Sequence, residues 1–168
     1  NIDDRRGTVS VFNGADPLIK QFGSHNEESE FVSEWLKKII TEDYKPHEIC
    51  IVIRSSEEIS RAKLALDYSE IPYKVLDEYI EVTHGYISIA EMHFVKGLEF
   101  RAVVVMACDD EIIPSQKRIE NVSDNADLEE VYNTERHLLY VACTRARDKL
   151  LLTSGNEPSE FLSDINKI

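Results

Sequence analysis

Residues 48–54 read Glu-Ile-Cys-Ile-Val-Ile-Arg, an unbroken apolar run closed at each end by a charge. A strand with one wet face alternates apolar and polar residues. A run without alternation needs cover on both faces, the pattern of a strand inside a parallel sheet. A second and stronger run of this kind lies at residues 100–108, FRAVVVMAC. Just after the first run, Ser55 with Glu58 opens a segment in which Ile59, Ala62, Ala65 and Leu66 share one helical face. Ile71-Pro72 stops that helix, and residues 73–76 begin a short strand. Upstream, Ser24 with Glu27 forms a capping box before Phe31, Val32, Trp35, Leu36, Ile39 and Ile40, again one face of a helix. Residues 8–12 alternate as a short strand would, and Asn13-Gly14 turns the chain.

Downstream, residues 87–90 and 149–153 are further strand candidates. Residues 109–130 are acidic and irregular apart from Ile112-Ile113-Pro114, and Leu128, Val131, Leu138, Leu139 and Ala142 then mark a long helix. Ser154-Gly155-Asn156 is a turn, and Pro158 suits the first position of a last helix through Phe161, Leu162 and Ile165. Strands alternating with helices of this length predict an α/β fold, a three-layer sandwich on a mainly parallel sheet, with residues 1–168 as one domain.

Composition narrows the function. The 42% hydrophobic residues suffice for a core, and 30% charged residues with 6 Gly and 5 Pro do not describe a disordered chain. The net charge of −13 repels polyphosphates at long range, which disfavours a free-standing DNA-binding module. Cys50, Cys108 and Cys143 are scattered, with neither a CxxC nor histidines at ligand spacing, so no disulfide scaffold and no metal site is expected. No apolar run approaches membrane-spanning length and no signal-peptide pattern is present, so a soluble, cytoplasmic protein is expected. The chain starts at Asn1 rather than Met, as an excised piece of something larger would.

Charge is unevenly spread. Residues 135–149 carry Arg136, Arg145, Arg147 and Lys149 against Glu135 and Asp148, a basic stretch inside an acidic chain. Cations near a helix C-terminus favour its dipole and often do nothing else. The other reading is a guanidinium held at a domain edge and aimed at a phosphate. In Lys96-Gly97-Leu98-Glu99-Phe100 the glycine allows an unusual turn or a close approach to a ligand, and the Glu99 carboxylate can accept from a sugar hydroxyl; the bland alternative is a loop with an ordinary charged pair. His93 alone reads as a packing or capping residue. Arg54 stands at the carboxyl end of a buried strand, where open α/β sheets meet their ligands.

Taken together, these pieces carry a resemblance. Residues 87–104, ISIAEMHFVKGLEFRAVV, are similar to motif V of the UvrD/Rep-like superfamily 1 helicases, usually Thr-x-His-x-x-Lys-Gly-Leu-Glu-Phe. Residues 134–146, TERHLLYVACTRA, are similar to their motif VI, Glu-Glu-Arg-Arg-Leu-x-Tyr-Val-x-x-Thr-Arg-Ala. Residues 48–56 resemble the family's strand and loop ending in Tyr-Arg-Thr-Asn, Ile71-Pro72-Tyr73 matches its Ile-Pro-Tyr, and residues 158–165 resemble its Pro-Ser-x-Phe-Leu closing helix.

The resemblance implies the second, C-terminal RecA-like domain of such a motor, a P-loop NTPase-like fold. No GxxxxGK[ST] is present, so the phosphate cradle would belong to a partner N-terminal RecA-like domain. ATP and Mg²⁺ would be bound only by the full-length protein, and the isolated domain would be inert as an ATPase. By matching position Arg145 would be the arginine finger. Glu99 would meet the ribose, Gly97 would let the loop approach, and Arg136 would support the cleft. Arg54, Ser56, His93 and Lys96 would serve the nucleic-acid track and its coupling loop, on single-stranded or tailed DNA, with 3′ to 5′ directionality.

The chain departs from the family at Glu91 (for the motif V Thr), His137 (for the second motif VI Arg), Ser56 (for Asn) and Ser115 (where some relatives have a His). Residues 76–87 form a short connection where many relatives insert a large mobile domain. Glu91, His137 and the missing insertion suit an alternative: a regulatory or protein-interaction module that kept the fold and lost motor work. A motor acting on RNA is not separated from one acting on DNA by these residues.

Overall fold

The computed structural model describes residues 17–166, so the expected strand at residues 8–12 and its Asn13-Gly14 turn lie outside the described residues. Six strands are described: β1 (Leu18–Gln21), β2 (Ile49–Ile53), β3 (Tyr73–Val75), β4 (Ile87–Glu91), β5 (Phe100–Val105) and β6 (Ala146–Ser154). They form one sheet in the order β1-β6-β5-β2-β4-β3, and every pairing is parallel. The helices are α1 (His25–Thr41), α2 (Ile59–Ser69), α3 (Gln116–Glu120), α4 (Asn125–Cys143) and α5 (Phe161–Asn166).

Every residue of β2 is buried, as the run at residues 48–54 predicts for a strand covered on both faces. Side-chain alternation divides the core into two layers. Val103 and Val105 join Leu139, Ala142, Leu150, Leu152 and Phe161 under α4 and α5. Val104 joins Ile51, Ile53, Val32, Leu36, Ala62 and Leu66 under α1 and α2. The three-layer parallel α/β sandwich is therefore the observed fold.

Several local expectations are corrected. Ser24 caps α1 by accepting from the Glu27 amide (3.1 Å), but the Glu27 carboxylate accepts from Gly23 N–H (3.2 Å) rather than returning to Ser24, so the capping box is only half formed. Ser55 caps a 3₁₀ turn, Ser56–Glu58, and α2 starts only at Ile59. β5 ends at Val105 because Ala107 takes φ 58° and its N–H turns to the buried Glu28 carboxylate (3.0 Å) instead of a strand neighbour. β6 starts at Ala146, earlier than its apolar run. Its charged first half is half-exposed, and Ala146 pairs with Phe100 across an irregularity in β5. α4 likewise starts earlier than its apolar face, at Asn125, capped by Asp124 accepting from Asp127 N–H (2.8 Å). Pro158 does not open the last helix: it bridges antiparallel to Asp109, and α5 begins at Phe161. Residues 76–86 form the short connection expected between β3 and β4.

Candidate functional site

A parallel sheet has an amino edge and a carboxyl edge, and the residues singled out from the sequence divide between them. At the amino edge Phe100 opens β5 beside Ala146, which opens β6. Glu99 and Arg145 therefore stand side by side just before these strands. The Phe100 N–H donates to the Arg145 carbonyl (2.9 Å), tying the first residues of the two strands together. The half-buried Arg145 guanidinium donates from Nη1 to the Leu98 carbonyl (3.2 Å) and from Nη2 to Thr144 Oγ1 (3.0 Å), which hold it over the loop carrying Gly97. Among the described residues no carboxylate pairs with it, and its Nε is enclosed without an acceptor. Of the five N–H donors of a guanidinium, only two are used.

Gly97 has φ 86°, a left-handed conformation that glycine adopts without strain, and a Cβ there would meet nothing within 4 Å. The requirement for glycine within this chain is thus conformational rather than steric. Glu99 is exposed, with Arg147 Nε 3.7 Å from its Oε1, and is open to a ligand hydroxyl. Arg136 is not part of this group. Its guanidinium lies 4.8 Å from the Phe161 ring centroid, its Nε is 3.8 Å from Asp164, and it donates to Asn133 Oδ1 (3.2 Å), so its contacts in this chain are with α5 and its own helix.

At the carboxyl edge Ile53 and Glu91 end β2 and β4 side by side, placing Arg54 and the Met92–Phe94 turn there. Arg54 is clasped side-on by the fully buried Glu135 of α4, donating from Nε to Oε1 (2.9 Å) and from Nη2 to Oε2 (2.6 Å). The same carboxylate accepts from Arg118 Nη1 (2.8 Å) and Ser115 N–H (2.6 Å). Burial pushes the Glu135 carboxyl up, but the hydrogen bonds from Arg54, Ser115 and Arg118 and the Arg54 charge prevail and hold it below its ordinary value. Ser56 lines a cleft of about 730 Å³ together with Arg54, Ser115, Gln116 and Lys117. His93 is exposed and stacks on Phe94 with centroids 4.0 Å apart, outside that cleft, and Lys96 is exposed on the loop that leads back to the amino edge.

A third cluster was not found from the sequence, because its members are isolated charges in otherwise apolar elements. Arg61 of α2 bonds the fully buried Glu28 of α1 and donates to Asp109 Oδ2 (2.6 Å). Glu28 Oε2 also accepts from Thr153 Oγ1 (2.8 Å), and Asp109 Oδ1 accepts from Gly155 N–H (2.9 Å). Burial alone would lower the Arg61 pKa, but hydrogen bonding to Asp109 and the charge of Glu28 raise it. The charges are paired and saturated, the condition on which buried ions persist. Its signal in the sequence is Glu28 and Arg61 falling on the otherwise buried faces of their helices. His25, Asp109 and Glu111 offer ligand atoms within 4.8 Å of one another, yet the Asp109 oxygens are already occupied by Arg61 and Gly155, which leaves little for a cation. Cys143 is buried and its thiol is pushed up to about 12, which makes it a packing residue rather than a nucleophile. No described helix is long and apolar enough to cross a membrane.

The all-parallel sheet with helices on both faces is the three-layer α/β architecture expected from the sequence. Residues 79–157 match the UvrD-like helicase C-terminal domain family, a match that takes in both stretches resembling motifs V and VI. The chain is similar to the ATP-dependent DNA helicase PcrA of Staphylococcus epidermidis RP62A, 33% identical over 94 residues, which cover 49% of this chain and 12% of that protein. It is 31% identical over 102 residues to the PcrA of Leuconostoc citreum, covering 54% and 13%. The matched stretch is thus about an eighth of the length of these curated relatives. The crystal structure of the C-terminal domain of a possible DNA helicase from Lactobacillus plantarum WCFS1 superposes with a TM-score of 0.68 at 22% identity, covering 95% of this chain and 88% of that one, a likeness of fold.

Proposed function

We propose that this chain is the C-terminal motor domain of an ATP-dependent superfamily 1 DNA helicase or translocase, completing a nucleotide site held mainly by a Walker A-bearing N-terminal domain. Arg145 carries the reading: a half-buried guanidinium at the amino edge, steered by the Leu98 carbonyl, with no carboxylate partner among the described residues and one N–H to spare on each terminal nitrogen. Charge that develops on a departing γ-phosphate is stabilised most by donors already in place, since nothing has to reorganise during the reaction. Arg145 supplies those donors across the interdomain gap, Glu99 accepts from the ribose and Gly97 shapes the loop between them. The Mg²⁺ would travel with the nucleotide and the partner domain, since this chain carries no GxxxxGK[ST]. The carboxyl edge, with Arg54, Ser56, His93 and Lys96, serves the single-stranded DNA track, where phosphate contacts that read no sequence are what a translocase needs.

The deciding experiment is DNA-stimulated ATP turnover in the intact protein, with the nucleotide-gripping domain present, for the parent and for Arg145→Ala. We expect kcat to fall by about 10³-fold or more with KM for ATP changed far less. Full turnover in the variant would remove the finger role. One observation favours a second reading, a regulatory module without motor activity: Arg54 is already bound to Glu135, and a carboxylate, Glu91, stands at the same edge. A parent protein that hydrolyses no ATP in the presence of DNA would select that reading.

A further inference from the structure

α1 and α2 pack side by side over one face of the sheet. A cavity of about 460 Å³ opens between them, lined by Glu30, Ser33, Glu34 and Lys37 of α1 and by Tyr68 of α2. The four α1 residues recur at helical spacing and share one face, while Tyr68 stands in the last turn of α2. Tyr68 Oη donates to Asn26 Oδ1 (2.7 Å), and Asn26 Nδ2 donates to Glu30 Oε1 (3.0 Å), so one amide fixes both the ring and a carboxylate. Glu34 Oε1 accepts from Lys37 Nζ (3.2 Å). The second oxygen of each carboxylate makes no hydrogen bond among the described residues.

Ser33 is the odd member of the lining. It is 1% exposed, and its Oγ has no partner among the described residues. A serine or threonine inside a helix ordinarily turns its hydroxyl onto a carbonyl one turn back, as Thr134 does onto the Glu130 carbonyl (2.6 Å). Ser33 does not, and a buried hydroxyl left unmatched costs free energy that a ligand can recover. Two carboxylates and this hydroxyl thus form a set of acceptors beside the ring of Tyr68, which is 41% exposed. The group that answers such a set is a guanidinium: its N–H donors lie in its plane and suit carboxylates, while its face stacks on an aromatic ring. Lys37 already holds a cation against Glu34, but an exposed pair of this kind is weak and displaceable. The net charge of −13 also favours a cationic visitor.

We infer that this cavity docks an arginine side chain of a partner protein, its guanidinium lying on Tyr68 and donating to Glu30, Glu34 and Ser33 Oγ. The cavity belongs to the helix layer rather than to either edge of the sheet. The inference is therefore independent of the motor reading, and the two can fail separately.

The test is saturation-transfer NMR on the intact protein with N-acetyl-arginine N-methylamide, whose blocked ends mimic a residue within a chain. The matching citrulline compound keeps the shape and loses the charge. The arginine probe is expected to bind about tenfold or more tightly than the citrulline one. Tyr68→Leu, at an exposed position, is expected to weaken arginine binding about threefold or more without altering the net charge. Ser33→Ala is expected to weaken it by a similar factor, whereas a hydroxyl with only a packing role would leave it unchanged. Binding that ignores Tyr68→Leu would be attraction to the acidic surface in general and would overturn the inference. Equal binding of the two probes, an unchanged affinity in Ser33→Ala, or no saturation of the arginine probe at all would do the same. Binding of free arginine where the blocked form does not bind would identify a small-molecule site and overturn the partner role.

Discussion

Gly155 and Gly97 show how one residue type meets two different physical demands. A Cβ on Gly155 would lie 2.7 Å from Arg61 Nη2, 3.1 Å from Glu28 Oε1 and 3.1 Å from His25 Cα. The side-chain atoms it would meet are long and flexible in principle, but here they are pinned by the buried network of Glu28, Arg61 and Asp109. Gly155→Ala should therefore destabilise the domain by about 1–3 kcal/mol, read as a shift of the urea midpoint, through crowding of an already saturated ion cluster. Gly97→Ala meets open space and suffers only the strain of its φ, on the order of 1 kcal/mol. Equal losses at the two positions would show that the network yields easily. The sequence contains both glycines but distinguishes neither role. Gly97 was legible because Lys-Gly-Leu-Glu-Phe precedes a buried strand, whereas Gly155 looked like an ordinary member of a Ser-Gly-Asn turn. What sets it apart is the arrival of Arg61, nearly a hundred residues earlier in the chain, and local sequence carries no trace of that.

Among the elements, α4 carries Glu135 and leads directly to Arg145, and the apolar pattern placed its start too late. Its first turn has no buried face and is held by Asp124, which accepts from Asp127 N–H. Asp124→Ala should cost about 0.5–2 kcal/mol of stability by fraying that turn. ATP turnover should stay at the parent level, since the cap lies at the far end of the helix from Arg145. A matching loss of turnover would mean that α4 does not act as a rigid lever. The extra length of β6 has a different origin. Residues 146–149 pair with β5 at the amino edge where their side chains reach solvent, so charged Arg147 and Lys149 sit within a strand without cost. Their charge hid the strand from a reading based on hydrophobic runs. Pro158, which suits a helix start by its fixed φ, is instead drawn into a bridge with Asp109, a tertiary contact that overrides the local preference.

Over the whole molecule, a net charge of −13 on 168 residues acts against compactness. Raising ionic strength from about 10 mM to about 150 mM shortens the Debye length from about 30 Å to about 8 Å and should raise the melting temperature. A fall would mean that exposed pairs, such as Arg101 with Asp148 and Glu48, outweigh the general repulsion.

The sequence by itself determined the sheet and its layers, because unbroken apolar runs cannot be satisfied except between two covers, and it determined the two motifs, because their residues are contiguous. Tertiary structure alone decided the partners of the charges. Arg54 reads as a free cation until Glu135 arrives from eighty-one residues away. Arg136 reads as a member of the Arg145 group until the helix turns it toward Phe161. The sharing of a single carboxylate by Arg54 and Arg118 is a matter of distance in space, and an ion pair leaves no periodicity in the chain from which that distance could be read.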